Sequence, residues 1–203
     1  MKIAIIGVTG RVGSRVATEA LRRGHSVTGI VRSVDHIATI SGVTLVQGDA
    51  TEPDQLAPLI RGHDAVISAA NFRILTAAPL LQALKDAGLK RLLVVGGAAS
   101  LEIAPGVRLL DSPNFPNEYR SEAVPGAAFL QNLRTETVVD WTFLSPSASF
   151  APGERTGKFR LGRDQLLSDA NGTSHISMED YAIALIDELE HPQHLRQRFT
   201  VGY

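Results

Sequence analysis

Three glycines near the start of the chain, in IIGVTGRVGSRV, are the residues whose types and spacing speak most directly of chemistry. Gly7, Gly10 and Gly13 stand between a short apolar run and a segment of helical period. The spacing G-x-x-G-x-x-G differs from the G-x-G-x-x-G dinucleotide fingerprint. It meets the same needs: a tight turn, a backbone that can approach a pyrophosphate, and close packing of helix on strand. The helix that follows would offer free N–H groups and its positive dipole end to the phosphates. The turn residues are Gly7, Thr9, Gly10, Arg11, Val12 and Gly13. A strand-to-helix turn can also need one or two glycines for conformation alone; three, directly after a buried-type strand and ahead of five more strands, favour the ligand reading.

The end of the second strand distinguishes the two nicotinamide cofactors. A carboxylate there accepts from the ribose 2′-hydroxyl, whereas an arginine receives a 2′-phosphate. This strand ends IVRS, with Arg32 and Ser33, and no acidic residue precedes Asp35. Arg11 is a second cation within reach of the same phosphate, although solvated arginines are common. The expectation is NADPH, with NADH second. Asp49 and Ala50 follow the third strand in VQGDAT; Asp49 is placed either to accept from the adenine amino group or to serve as a helix N-cap or turn residue. Ala69-Ala70-Asn71 and Gly96-Gly97-Ala98 close the fourth and fifth strands, where ligands of parallel sheets bind. Small residues there would let a cofactor approach the backbone, or would serve packing.

Composition restricts what else the chain can do. It has no cysteine, which excludes disulfide frameworks, Cys-containing zinc sites, thiol nucleophiles and dithiol redox chemistry. Redox function therefore requires a cofactor. The formal net charge is -1 over 203 residues, with no block of like charges, which argues against a nucleic-acid surface. The opening MKIAIIGVTGR is apolar only from Ile3 to Ile6, too short for a membrane span or a leader core, so the expectation is a cytoplasmic chain with no membrane partner. His191 and His194 flank Pro192, which breaks the helix that would align them, and no metal site is expected. Neither a G-x-S-x-G elbow nor a G-x-x-x-x-G-K-[ST] loop occurs. The oligomeric state is not legible.

The elements that must position these residues follow from the patterning. Strands are expected at Lys2 to Ile6, Ser26 to Val31, Val43 to Gln47, Asp64 to Ser68 and Arg91 to Val95, alternating with segments of helical period. Thr51-Glu52-Pro53-Asp54 opens a helix running to about Arg61, and a helix carrying Leu75, Leu80, Leu81 and Leu84 stops at Gly88. Ser33 to Ser41 is a weak helix at best. Continuously apolar strands suit a parallel sheet covered on both faces. Beyond Gly96 lie a long connection, 98–116, a helix from roughly Glu118 to Val138, a strand at Trp141 to Leu144 and a second long connection from Ser145. Ser177 and Asp180 form a capping box, and Arg198 to Val201 is a last strand. The fold class that this patterning supports is α/β: a single domain over 1–203 with a mainly parallel sheet and helices on both faces.

These residues resemble those of atypical short-chain dehydrogenase/reductases. More narrowly they are similar to the NAD(P)H-binding group provisionally assigned as NADH-flavin reductases, related to biliverdin reductase B and to NmrA-like proteins. The carriers are IIGVTGRVGSRV, VQGDATEP, VVGGAASLEIAPG, DWTFLSPSASFAPGERTGKFRLG and ISMEDYAIALIDELEHP. The resemblance implies a doubly wound Rossmann-type domain with a small C-terminal elaboration, a nicotinamide dinucleotide, and hydride transfer to FMN, FAD or a similar planar small-molecule acceptor; NmrA-like dinucleotide sensing without turnover is the alternative. The wider superfamily's Tyr-x-x-x-Lys pair is missing, since position +4 is Ala123 from Tyr119 and Leu185 from Tyr181, and Tyr203 is last. Alcohol dehydrogenase chemistry thus lacks its residues. Flavin reduction survives, because stacking supplies most of the catalysis. The connections 98–116 and 145–163 are expected to form the acceptor pocket, with Phe115, Tyr119, Pro146, Ser147 and Phe150 facing it, and Tyr119 the candidate proton donor. Core packing is the competing role for both phenylalanines.

Overall fold

In the computed structural model the described residues are 1–35 and 40–203. The weak helix expected over Ser33 to Ser41 therefore falls partly outside them. The first half alternates as read from the sequence: β1 (Lys2–Ile6), α1 (Arg11–Arg22), β2 (Ser26–Val31), β3 (Val43–Gln47), α2 (Pro53–Ile60), β4 (Ala65–Ser68), α3 (Ala77–Ala87) and β5 (Arg91–Val95). The second half adds β6 (Glu102–Ala104), β7 (Val107–Arg108), α4 (Asn117–Arg134), β8 (Asp140–Ser145), β9 (Ser149–Ala151), β10 (Arg160–Gly162), β11 (His175–Ser177), α5 (Met178–Glu190) and β12 (Gln197–Gly202).

Eight strands form one sheet in the order β10-β12-β8-β5-β4-β1-β2-β3. Every pairing is parallel except β10 with β12. The chain winds outward from β1 through β2 to β3, then restarts at β4 and winds the other way. The reversal leaves a crevice at the carboxyl ends of β1 and β4, where a doubly wound sheet binds its ligand.

Alternation along β1 shows why its run is wholly apolar. Ala4 and Ile6 join a core with Leu56, Leu80, Leu84, Phe129 and Leu133 of α2, α3 and α4. Ile3 and Ile5 join one on the opposite face with Val16, Ala20 and Leu185 of α1 and α5. Both sheet faces are covered, so no position from Ile3 to Ile6 calls for a polar residue.

The structure departs from the sequence reading in three places. The connection 98–116 is not loose: it holds two 3-10 turns and the β6–β7 hairpin, turned at Gly106 with φ +73°. Helix α4 ends at Arg134 rather than near Val138. A carboxylate oxygen of Glu136 accepts the amides of Val138 and Val139 at 2.6 and 3.1 Å, turning the chain toward β8. The capping box at α5 is half formed. Ser177 Oγ accepts from the Asp180 amide at 3.0 Å, but the Asp180 carboxylate turns to the 156–157 segment and to Tyr203.

Candidate functional site

The crevice at the carboxyl ends of β1 to β4 is a cleft of about 760 Å³. Its first wall is the turn after β1, represented by Gly7, Thr9 and Gly10. Gly7 adopts φ +77°, and a Cβ on it would stand 2.6 Å from the Ala69 carbonyl oxygen. A Cβ on Gly13 would stand 2.1 Å from the carbonyl oxygen of Gly7. These two glycines are therefore obligatory for the turn itself: one for its backbone angle, the other for helix-on-strand contact. Gly10 is less constrained, its Cβ position lying 3.2 Å from the Gly7 oxygen.

Helix α1 begins at Arg11 with no side-chain cap and no acidic residue in its first turn. By contrast α5 carries Ser177 as its cap and Glu179 and Asp180 in its first turn. The uncapped start of α1 leaves donors and positive potential for an anion. Val12 is half-buried and packs with the α1–α5 core, while Arg11 is exposed.

The second wall comes from the ends of β2 and β3. Arg32 is exposed on the cleft, and Ser33 beside it accepts from the Asp35 amide at 3.1 Å. Asp49 also lines the cleft. One of its oxygens accepts the Thr51 amide at 2.9 Å and the Thr51 hydroxyl at 2.8 Å. Those bonds, with the charge of Arg32, hold the Asp49 carboxyl below its usual range. The Asx turn uses Asp49 Oδ1, so the two roles weighed for this residue are geometrically compatible. Ala50 lines the cleft and leans on the α2–α3 core.

The third wall is the end of β4, with Ala69, Ala70 and Asn71. Asn71 spends its side-chain oxygen on the Arg73 amide at 2.8 Å. Sequence reasoning missed Ile6, Ile30, Val31, Gly48, Thr51, Ile74 and Leu75, which complete the lining among the described residues. Ile30 and Val31 end β2, and strand-end position alone could have flagged them.

Gly96, Gly97 and Ala98 follow β5 and lie outside this lining. Gly96 is glycine for packing: a Cβ there would meet the Phe143 ring at 2.3 Å and the Leu144 carbonyl oxygen at 2.6 Å. Gly97 faces open space, with φ outside the left-handed region and nothing within 4 Å of its Cβ position. Ala98 opens a 3-10 turn.

The residues expected to face an acceptor are not brought together. No residue lining the cleft comes from 98–116 or 145–163. Ser147 is fully buried and donates to the Val201 carbonyl at 3.0 Å, joining the end of β8 to β12. Pro146 is buried beside it. Phe150 packs its ring 4.7 Å from that of Tyr181. Phe115 is half-buried against Ala99, Leu110 and Ala127, with the Arg120 guanidinium 5.4 Å from its ring centre. Tyr119 is 62% exposed on the first turn of α4.

The second connection is instead a strap fastened to α1 and α5. The Gly153 amide donates to Glu179 at 2.7 Å; Arg155 grips both oxygens of Glu19 at 2.9 Å; the Thr156 and Gly157 amides donate to Asp180 at 2.8 Å. Glu19 is buried, which disfavours its charge, yet hydrogen bonds from Arg155, Arg23 and Arg22 prevail and hold its carboxyl down at about 2. The same connection that looked like a pocket wall is consumed by structure, because carboxylates of α5 take its amides and Glu19 of α1 takes its arginine.

A glycine-built turn, an uncapped helix and a cation at the end of β2 are the features of a dinucleotide cleft. A family model described as NAD(P)H-binding matches residues 7–192. The chain belongs to that NAD(P)H-binding family. It is 43% identical to the uncharacterized protein YwnB of Bacillus subtilis, over 99% of this chain and 98% of that one. A crystal structure from Burkholderia pseudomallei, of a protein provisionally named as exported, superposes with TM-score 0.91 at 42% identity, covering all of both chains. A Streptococcus pneumoniae protein provisionally assigned as an NADH-flavin reductase gives TM-score 0.87 at 36% identity, over 100% of this chain and 99% of that one. The fold is accordingly that of Rossmann NAD(P)-binding proteins. Among the described residues no helix is long and apolar enough to cross a membrane.

Proposed function

We propose that this NAD(P)H-binding protein is an NADPH-dependent oxidoreductase that reduces a flavin or a similar planar acceptor. The observation that carries the cofactor choice is Arg32, exposed on the cleft wall at the end of β2 where the ribose 2′ position is read. The provisional name of the Streptococcus pneumoniae relative supports the acceptor class. The dinucleotide, when bound, supplies the hydride.

The chain's own residues bind and orient. The first turn of α1 receives the pyrophosphate, with Gly7 and Gly13 setting the shape of the turn, Gly10 sparing it a side chain, and Thr9, Arg11 and Val12 completing it. Arg32, Ser33 and Arg11 discriminate the 2′-phosphate; Asp49 and Ala50 hold the adenine side. Ala69, Ala70 and Asn71 face the middle of the cofactor. The open surface at Gly97, flanked by Gly96 and Ala98, leaves room for stacked rings above the end of β5. Acid-base assistance is a minor demand, since the proton of a reduced flavin can come from water.

The test is NADPH oxidation with FMN, FAD, quinones and dyes as acceptors. Turnover well above the protein-free rate with FMN or FAD supports the reading. Tight cofactor binding with no acceptor reduced would move the protein to the sensing class.

A further inference from the structure

Glu122, on α4, makes a contact that the fold alone does not demand. One carboxylate oxygen accepts the backbone N–H of Phe72 at 2.7 Å. The other is buried without a hydrogen-bond partner, the Arg73 Nε standing 3.5 Å away. One helical turn on, Gly126 faces the Phe72 ring so closely that a Cβ would meet it at 2.9 Å. Helix α4 thus offers the end of β4 a bare backbone for the ring of Phe72 and a carboxylate for its amide.

What these contacts hold is the third wall of the cleft. Phe72 and Arg73 sit in the turn that leaves β4, closed by amides of Ile74 and Leu75 donating to the Asn71 carbonyl at 3.0 Å. Asn71, Ile74 and Leu75 all line the cleft. Few other bonds fix this turn: the Asn71 side chain bonds only within it, to Arg73. A buried amide with no acceptor is costly, so losing Glu122 would loosen the backbone of the turn while the Phe72 and Leu75 side chains keep their core packing. Among the described residues Glu122 makes no hydrogen bond or ion pair to the walls made by β2 and β3, which would keep their shape.

We infer that Glu122 is a positioning residue: from α4 it fixes the Asn71–Leu75 turn, and through it the third wall of the cleft, which faces the middle of the cofactor. The inference rests on the dinucleotide reading, and the two can fail separately. Glu122 touches neither cofactor nor acceptor and acts only through the turn.

The experiment measures binding of NADPH and of adenosine 2′,5′-bisphosphate, which fills only the β2–β3 half, to the full-length wild type, Glu122→Ala and Glu122→Gln. Glu122→Ala should weaken NADPH about tenfold or more, the loss expected of a charge-assisted hydrogen bond, while the bisphosphate stays within about twofold of wild type. Glu122→Gln, which keeps an acceptor for the Phe72 amide, should recover most of the NADPH affinity. The fluorescence of bound NADPH should move toward that of free NADPH in Glu122→Ala only. Unchanged NADPH affinity in Glu122→Ala, or equal loss of both ligands, would overturn the inference while leaving the dinucleotide reading standing. A wild type that binds neither ligand would overturn both.

Discussion

The space for a Cβ on Gly13 is occupied by the carbonyl oxygen of Gly7, 2.1 Å away. That single approach lets α1 start directly over the end of β1 and aims its uncapped N-terminus into the cleft. Gly13→Ala must push helix and strand apart, at a cost of about 1–3 kcal/mol by analogy with overpacked cores. Calorimetric unfolding should show that loss, and dinucleotide titration should show weaker binding. Gly24→Ala is the control: it loses a positive-φ residue, with nothing within 4 Å of its Cβ position, so stability falls while affinity holds.

Tyr181 and Tyr119 should separate cleanly. The Tyr181 hydroxyl donates to the Leu144 carbonyl at 2.7 Å and accepts from the Gly96 amide at 3.3 Å. It is fully buried, and that burial pushes its ionisation well above the usual range for a phenol. Tyr181→Phe leaves the Leu144 carbonyl its bond from the Gly96 amide, so the cost should be about 1–2 kcal/mol. Tyr119→Phe, on an exposed side chain, should leave the melting temperature unchanged. If acceptor reduction draws its proton from water, Tyr119→Phe should also keep the rate within about twofold; a large drop would identify it as the donor.

The strap over α1 and α5 gives stability an acid dependence. The Glu19 carboxyl lies at about 2 in the folded protein against an ordinary 4.5, and Glu179 is lowered as well, burial being outweighed by Arg15 and the Gly153 amide. A lowered folded value means the unfolded chain binds the proton more readily. The stabilisation is therefore complete above about pH 4.5 and lost as pH falls toward 2. Glu19→Gln should cost about 2 kcal/mol at neutral pH, discounted because Arg155 and Arg22 are partly exposed. It should also flatten the acid limb of a chemical-denaturation series run from pH 6 to 2.5.

The sequence was most legible where geometry is local. The glycines at 7 and 13 are dictated by a turn, and the continuous apolar run of β1 or the period of 3.6 in α1 is written in adjacent residues. The cleft was legible to the extent that strand ends define it, which reached Arg32, Asp49 and Asn71 but not Ile74 or Leu75. What could not be read was partnership across the chain. Ser147 looks like any loop serine until β12 arrives from 54 residues away to take its hydroxyl. The 152–157 segment looks like a free pocket wall until Glu19, 136 residues from Arg155, closes on it. Glu122 was invisible for the same reason, its acceptor role depending on an amide 50 positions earlier.

The central claim is that Arg32 makes this cleft an NADPH site, and titration of the purified protein with NADPH and NADH tests it most directly. NADPH should bind more tightly, by about tenfold or more for a charge-assisted contact to the 2′-phosphate. Arg32→Ala should remove most of this preference by weakening NADPH and not NADH. Tighter binding of NADH to the wild type, or a preference for NADPH that survives Arg32→Ala intact, would contradict the claim.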